Sequence, residues 1–197
     1  MPPTTFRERQ RVLLIEITEV VIATKGLAAV QARRIAKDAD CAIGTIYNIF
    51  GDIDGLILAV NERTLHALGA DLIEAASNVR GRDIEARLMA LATAYLTFAT
   101  LHPRRWRAVF EHRLSEGSAV PAFYVDDRMR LLAMIEVQLT SAIADPVARM
   151  VAAHALFSAV HGIVLLSLDE KLGAFDADLC AQQIAFIVGN TVRGMGA

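Results

Sequence analysis

With 197 residues and a mass of 21.4 kDa, the chain is long enough to bury a substantial apolar core, so it needs no disulfide staples to fold. A composition of 54% hydrophobic and 21% charged residues with 5 Pro and 12 Gly excludes a disordered, collagenous or low-complexity chain. Twenty Lys and Arg against 22 Asp and Glu leave a net charge of −2, so overall charge advertises neither nucleic acid nor a cation-rich partner.

Helical periodicity dominates, with no run of alternating apolar and polar β-branched residues, and an all-α protein is expected. The amino-terminal stretch lacks a small-residue cleavage site, and Glu16 and Glu19 interrupt its apolar run; no secretory signal is read there and a cytoplasmic location is expected. A first helix is predicted from Thr5 to Lys25, with Leu13, Leu14, Ile17, Val20 and Val21 on its buried stripe and Gly26 as its stop. Two short helices follow, Ala32 to Ala39 and Ile43 to Phe50, separated by Asp40-Cys41-Ala42. A fourth starts near Asp52, whose carboxylate can cap free backbone N–H groups, and runs toward Ser77.

Beyond it, Gly81-Arg82-Asp83 caps a helix that stops at His102-Pro103, because proline cannot continue the ladder. Pro103 opens another helix through Leu114, Ser115 to Pro121 is a loop, and a long helix reaches Ile143. Asp145-Pro146 is an N-cap with proline in the first turn, opening a helix to Lys171; after Gly173, the last helix runs from Asp176 to Arg193. Met150 to Leu168 lacks Asp, Glu, Lys and Arg and approaches the length of a bilayer span. His154, Ser158, His161 and Ser167 are scattered through it, however, and apolar faces elsewhere can cover it, so no membrane association is expected.

The informative stretch is Arg33 to Leu56. Two helices of about two turns joined by a three-residue turn have the dimensions of a helix-turn-helix, whose second helix enters the DNA major groove. Ile35 and Ala36 with Ile43 and Ile46 would form its small core. The second helix otherwise carries short or hydrogen-bonding residues, Gly44, Thr45, Tyr47 and Asn48, which suit contact with phosphate oxygens or base edges; asparagine can pair bidentately with adenine. Arg33, Arg34 and Lys37 add positive charge beside it.

Gly26, Ile35-Ala36, Ala39, Gly44-Thr45-Ile46-Tyr47, Phe50 and Leu56 together resemble the TetR/AcrR family of one-component bacterial regulators. The resemblance implies a three-helix DNA-binding domain over residues 1–51. Residues 52–197 would be a helical domain that dimerises and encloses a small-molecule site, with repression of a palindromic operator released by ligand. It also implies phosphate contacts from Thr45 and Tyr47 and a phosphate or base contact from Asn48. Asp40-Cys41-Ala42 departs from the family's usual Gly-Val-Ser, removing the hydroxyl that would cap the second helix, and Ile53 stands where a lysine is common. Residues 1–54 hold seven basic and seven acidic side chains, so affinity for DNA depends on their arrangement. Phe157 to Leu166 and Pro103 to Glu111 resemble a subfamily named for its Trp, His and Gly, with Phe157 in the tryptophan's place.

For the ligand site, Phe98, Trp106, Phe110, Met134, Phe157 and His161 are the candidates, as apolar or aromatic residues able to line a cavity between helices for a small apolar or amphipathic ligand. His154 and His161 share a helix face seven residues apart, but core histidines are the simpler reading, and no metal or cofactor is expected. Cys41 and Cys180 form no CxxC pair and are expected to be reduced thiols. The last two helices carry more apolar surface than one protomer needs, which suits a two-fold four-helix homodimer. No nucleophile and base at recognisable spacing, phosphate loop or HExxH motif is present, so a DNA-binding regulator is favoured over an enzyme. The alternative is a helical carrier or enzyme whose helix-turn-helix is structural.

Overall fold

The computed structural model describes residues 5–81, 83–117, 119–171 and 173–195, and among these every regular element is helical. The elements are α1 (Phe6–Lys25), a single 3-10 turn (Leu27–Ala29), α2 (Ala32–Asp38), α3 (Ile43–Phe50), α4 (Ile53–Ser77), α5 (Ile84–Leu101), α6 (Pro103–Glu111), α7 (Ala122–Leu139), α8 (Pro146–Leu168) and α9 (Ala177–Met195). Arg82 and Ser118, within the break and the loop expected from the sequence, lie outside the described residues.

Side-chain caps set most of the starts. Thr5 accepts from the Glu8 amide while the Glu8 carboxylate accepts from the Thr5 amide, a reciprocal capping box. Asp52 accepts from the Gly55 amide at 2.7 Å, Asp83 from Ala86 at 3.1 Å, Asp145 from Ala148 at 2.8 Å and Asp176 from Leu179 at 3.0 Å. Three carboxyl ends come earlier than expected. α6 stops at Glu111 because His112 turns extended, α7 gives way to turns at Thr140, and α8 closes at Leu168 where Glu170 adopts φ 53°.

The chain divides into two compact units, Met1–His66 with His102–Val125, and Ala67–Leu101 with Asp126–Ala197. The division between these units falls inside α4, because Leu56, Ala59 and Val60 belong to the same core as Ile22, Ile35 and Ile46. In this first unit the buried stripe of α1 is Leu14, Ile15, Thr18, Val21 and Ile22, which corrects the expected one: Leu13 is 39% and Val20 61% exposed. Thr18 can take a core position because its hydroxyl donates to the Leu14 carbonyl at 2.7 Å. In the second unit α5 packs on α8 and α9, which also pack on each other. By length and composition α5 and α8 are each apolar enough to cross a membrane.

Candidate functional site

The turn between α2 and α3 has a defined geometry. Asp40, in the left-handed region at φ 48°, donates its amide to the Lys37 carbonyl at 3.2 Å, and the Cys41 amide donates to Ala36 at 3.0 Å. This pair of bonds ends α2 as a Schellman motif, with Asp where glycine is usual. α3 then starts from Ala42 without any side-chain cap, as the sequence implies.

Beneath the turn, Ile35, Ala36, Ala39 and Ile46 are buried. Ile43, expected in this core, is 38% exposed: at the first position of α3 its side chain projects beyond the contact with α2. Gly44, Tyr47 and Asn48 are exposed and Thr45 is half-buried, so the four share an accessible side of α3. Arg33, Arg34 and Lys37 are exposed on α2; Arg34 is 3.6 Å from Asp38, while Arg33 and Lys37 have no ion pair among the described residues. The sequence reading missed a further group. Arg7 of α1 donates to the Asn48 carbonyl at 3.1 Å, and Arg11 lies 5.6 Å from the centre of the Phe50 ring, so α1 brings two cations alongside α3.

Polar ties brace this unit from α4 and α6. The Asp54 carboxylate accepts from the Ser115 amide at 3.0 Å and its hydroxyl at 2.7 Å, with His112 at 3.4 Å. Burial opposes ionisation of Asp54, but the Ser115 hydrogen bonds and His112 outweigh it and hold the carboxyl below its ordinary value. For His112 burial prevails over the attraction of Asp54 and Asp52, so its pKa is lowered. Glu19 pairs with Arg105 at 2.9 Å and Arg63 at 3.3 Å, the buried Asn61 donates to Ala108 at 2.8 Å, and Arg104 donates to the Thr24 carbonyl.

The six ligand candidates separate. Met134 and Phe157 line an apolar cavity of about 40 Å³ within the second unit, together with Leu88, Leu91, Tyr95 and Val160 among others. His161 bonds to the Tyr95 hydroxyl through Nδ1 at 2.7 Å and stacks on Phe157 at 5.6 Å; its pKa is lowered by burial. Phe98 is buried on α5 but is not among the lining residues. Trp106 and Phe110 meet at a tilt, ring centres 5.4 Å apart, in α6, which packs on α1 in the first unit, and neither is among the lining residues. Aromatic spacing along a helix says which side chains are buried, not which neighbour buries them. His154 is exposed, and Tyr95, which holds the cavity's polar atom, went unassigned because a lone tyrosine in an apolar helix gives no local signal.

Two family models match the chain. Residues 14–60 match the one described as bacterial regulatory proteins, tetR family, and residues 88–187 the one described as tetracyclin repressor-like, C-terminal domain. The latter description does not name the Trp-His-Gly subfamily. A curated relative, the HTH-type transcriptional regulator BetI of Paraburkholderia xenovorans, is 33% identical over 97 residues, about half the length of each chain (48%). Among solved structures, a protein of unknown function from Rhodococcus sp. RHA1 aligns with a TM-score of 0.75 at 23% identity over 94% of both chains. RolR in complex with resorcinol aligns with a TM-score of 0.65 at 22% identity over 97% of this chain and 89% of that one.

Proposed function

This chain belongs to the TetR family of bacterial transcriptional regulators, and from that premise we propose that it acts in the cytoplasm as a homodimeric repressor, released from a palindromic operator by a small molecule. The observation that carries the DNA reading is the accessible set Gly44, Thr45, Tyr47 and Asn48 on a helix whose opposite side is locked by Ile46 into a closed core. Thr45 and Tyr47 serve as phosphate contacts and Asn48 as a phosphate or base contact, with Arg33, Arg34 and Lys37 adding attraction. Arg7 and Arg11 lie next to α3, so although residues 1–54 are balanced in charge, part of their positive charge is gathered beside this helix. The protein is a binder and not an enzyme in this reading.

Dimerisation is supported by apolar side chains exposed on α8 and α9. Val151, Leu166, Leu179 and Phe186 are each at least 42% exposed, and Phe186 lines an open groove between the two helices beside Gly162. A second copy would bury this surface and hold two recognition helices about one turn of DNA apart. The ligand site is assigned to the apolar cavity of the second unit, where Met134 and Phe157 meet; RolR, a relative in fold, carries resorcinol. Ligand shifts the population toward a conformer that no longer matches the operator, by as much as its affinity differs between the two states.

Selection from a random duplex pool, followed by titration against scrambled DNA at two salt concentrations, tests this. An enriched palindrome is expected, with binding lost in Tyr47→Ala/Asn48→Ala. Arg7→Ala is expected to reduce the slope of log K against log salt by about 1. No enrichment from folded, dimeric protein would move the assignment to a helical carrier.

A further inference from the structure

The cavity of the second unit is nearly devoid of polar character. Eleven of its twelve lining residues are aliphatic side chains, Met or Phe, and none is charged; the exception is Tyr95. Its hydroxyl is already engaged with His161 Nδ1 at 2.7 Å, and the His161 ring is stacked on Phe157, which itself meets Tyr95 edge-on at 5.8 Å. This wall is therefore a self-satisfied pair with limited hydrogen-bonding capacity to spare. A carboxylate or ammonium entering here would shed its water with no counter-charge to meet it.

Size adds a second restriction. About 40 Å³ is room for a few water molecules, whereas a dry cavity that binds benzene is nearer 150 Å³. Admitting a ring requires a wall to give way. Met134 is the suitable one: it is unbranched with three rotatable bonds, is only half-buried, and its Cε has ordinary contact room beside Gly69, a helical position without a side chain. The remaining wall residues are mostly branched or ring side chains with fewer alternatives.

We infer that the effector is a neutral, predominantly apolar molecule of about one ring, admitted by displacement of Met134 and excluded when it carries a charge or more than one hydrogen-bonding group. This rests on the cavity being the effector site, and it narrows that assignment to a ligand chemistry. His161 and Tyr95 act as a closing pair: they keep the wall neutral and leave at most one hydroxyl's worth of pairing.

Calorimetric titration of the full-length protein at pH 8 with toluene, resorcinol and benzoate separates the possibilities, because the three share a ring and differ in polar groups. Toluene is expected to bind, resorcinol at least about fivefold more weakly, and benzoate at least about 100-fold more weakly. Met134→Ala is expected to bind toluene more tightly than wild type, since the side chain that must move is gone. Equal or tighter binding of benzoate, or no binding of toluene to either protein, overturns the inference. The same samples are then titrated with the selected duplex. If toluene binds as described while the DNA complex is unaffected, the cavity's chemistry stands and its assignment as the effector site falls; specific DNA binding without toluene binding overturns the inference and leaves the DNA-binding reading standing.

Discussion

The two units are held together by different kinds of force. In the first, apolar packing is crossed by directional ties: Asp54 to Ser115, Asn61 to the Ala108 carbonyl, Glu19 to two arginines, and Arg7 to the carbonyl of Asn48. In the second, the walls of the cavity are joined mainly by non-directional apolar contact, with the polar pair of Tyr95 and His161 at its edge. Hydrogen bonds and ion pairs weaken quickly when geometry changes, whereas apolar surface can redistribute at small cost. A unit that presents a helix to DNA benefits from the former, and one that accommodates a ligand from the latter.

Two glycines of the same helix offer the strongest way to break this contrast. A Cβ on Gly55 would lie 2.2 Å from the Phe50 carbonyl oxygen, a backbone atom that cannot swing aside, whereas one on Gly69 would meet Met134 and Leu131 side chains at 3.5 and 3.6 Å. Helix propensity alone favours alanine at both positions by about 1 kcal/mol. Gly55→Ala is expected to destabilise the chain by about 3 kcal/mol and Gly69→Ala to stabilise it by up to about 1 kcal/mol, read from urea midpoints at constant slope. Equal effects would mean that the first unit is as yielding as the second.

Removing a directional tie comes next. Asp54→Ala takes away a charged acceptor of two hydrogen bonds and is expected to cost about 2 kcal/mol in chemical denaturation.

Acid should then act on both units. His112 and His161 are held below their ordinary pKa, so between the folded and unfolded values the unfolded chain binds more protons. Their contribution is fully present above about pH 6.5 and is lost as pH falls below it, by at most about 1.4 kcal/mol per pH unit for each group. Asp54, also lowered, adds a loss of the same sign below about pH 4. Thermal melts from pH 8 to 5 should show the decline, and His112→Gln and His161→Gln should each flatten it; an unchanged profile in both would sink the assignment to these histidines.

The smallest effect is a gain. Ala42→Ser supplies the missing cap of α3 and is expected to add about 1 kcal/mol in melting experiments without altering operator preference. If stability rises and DNA affinity falls, the uncapped start of α3 has a role in binding and not only a cost.

Most helix starts were legible because capping is local: Thr5, Asp52, Asp83, Asp145 and Asp176 each bond to amides two or three residues away, and Pro103 and Pro146 mark first turns by their missing N–H. The recognition segment was legible for the same reason, since its turn, its small core residues and its exposed hydrogen-bonding side chains lie within about twenty-five positions. The shift of the α1 stripe from Leu13 and Val20 to Ile15 and Ile22 was not legible, because both sets satisfy the helical period and only the packing partner selects one.

From sequence alone, then, come the all-helical class, the placement of most helices and the family of the DNA-reading segment, all set by interactions within a few turns of chain. Tertiary structure decided that the first half of α4 and all of α6 join the first unit, that Trp106 and Phe110 pack within that unit, that Gly55 admits no side chain, and that Tyr95 and His161 meet across 66 residues. Those outcomes depend on which surfaces come to face one another, and burial rewards any apolar partner of suitable shape without encoding in the local sequence which one it will be.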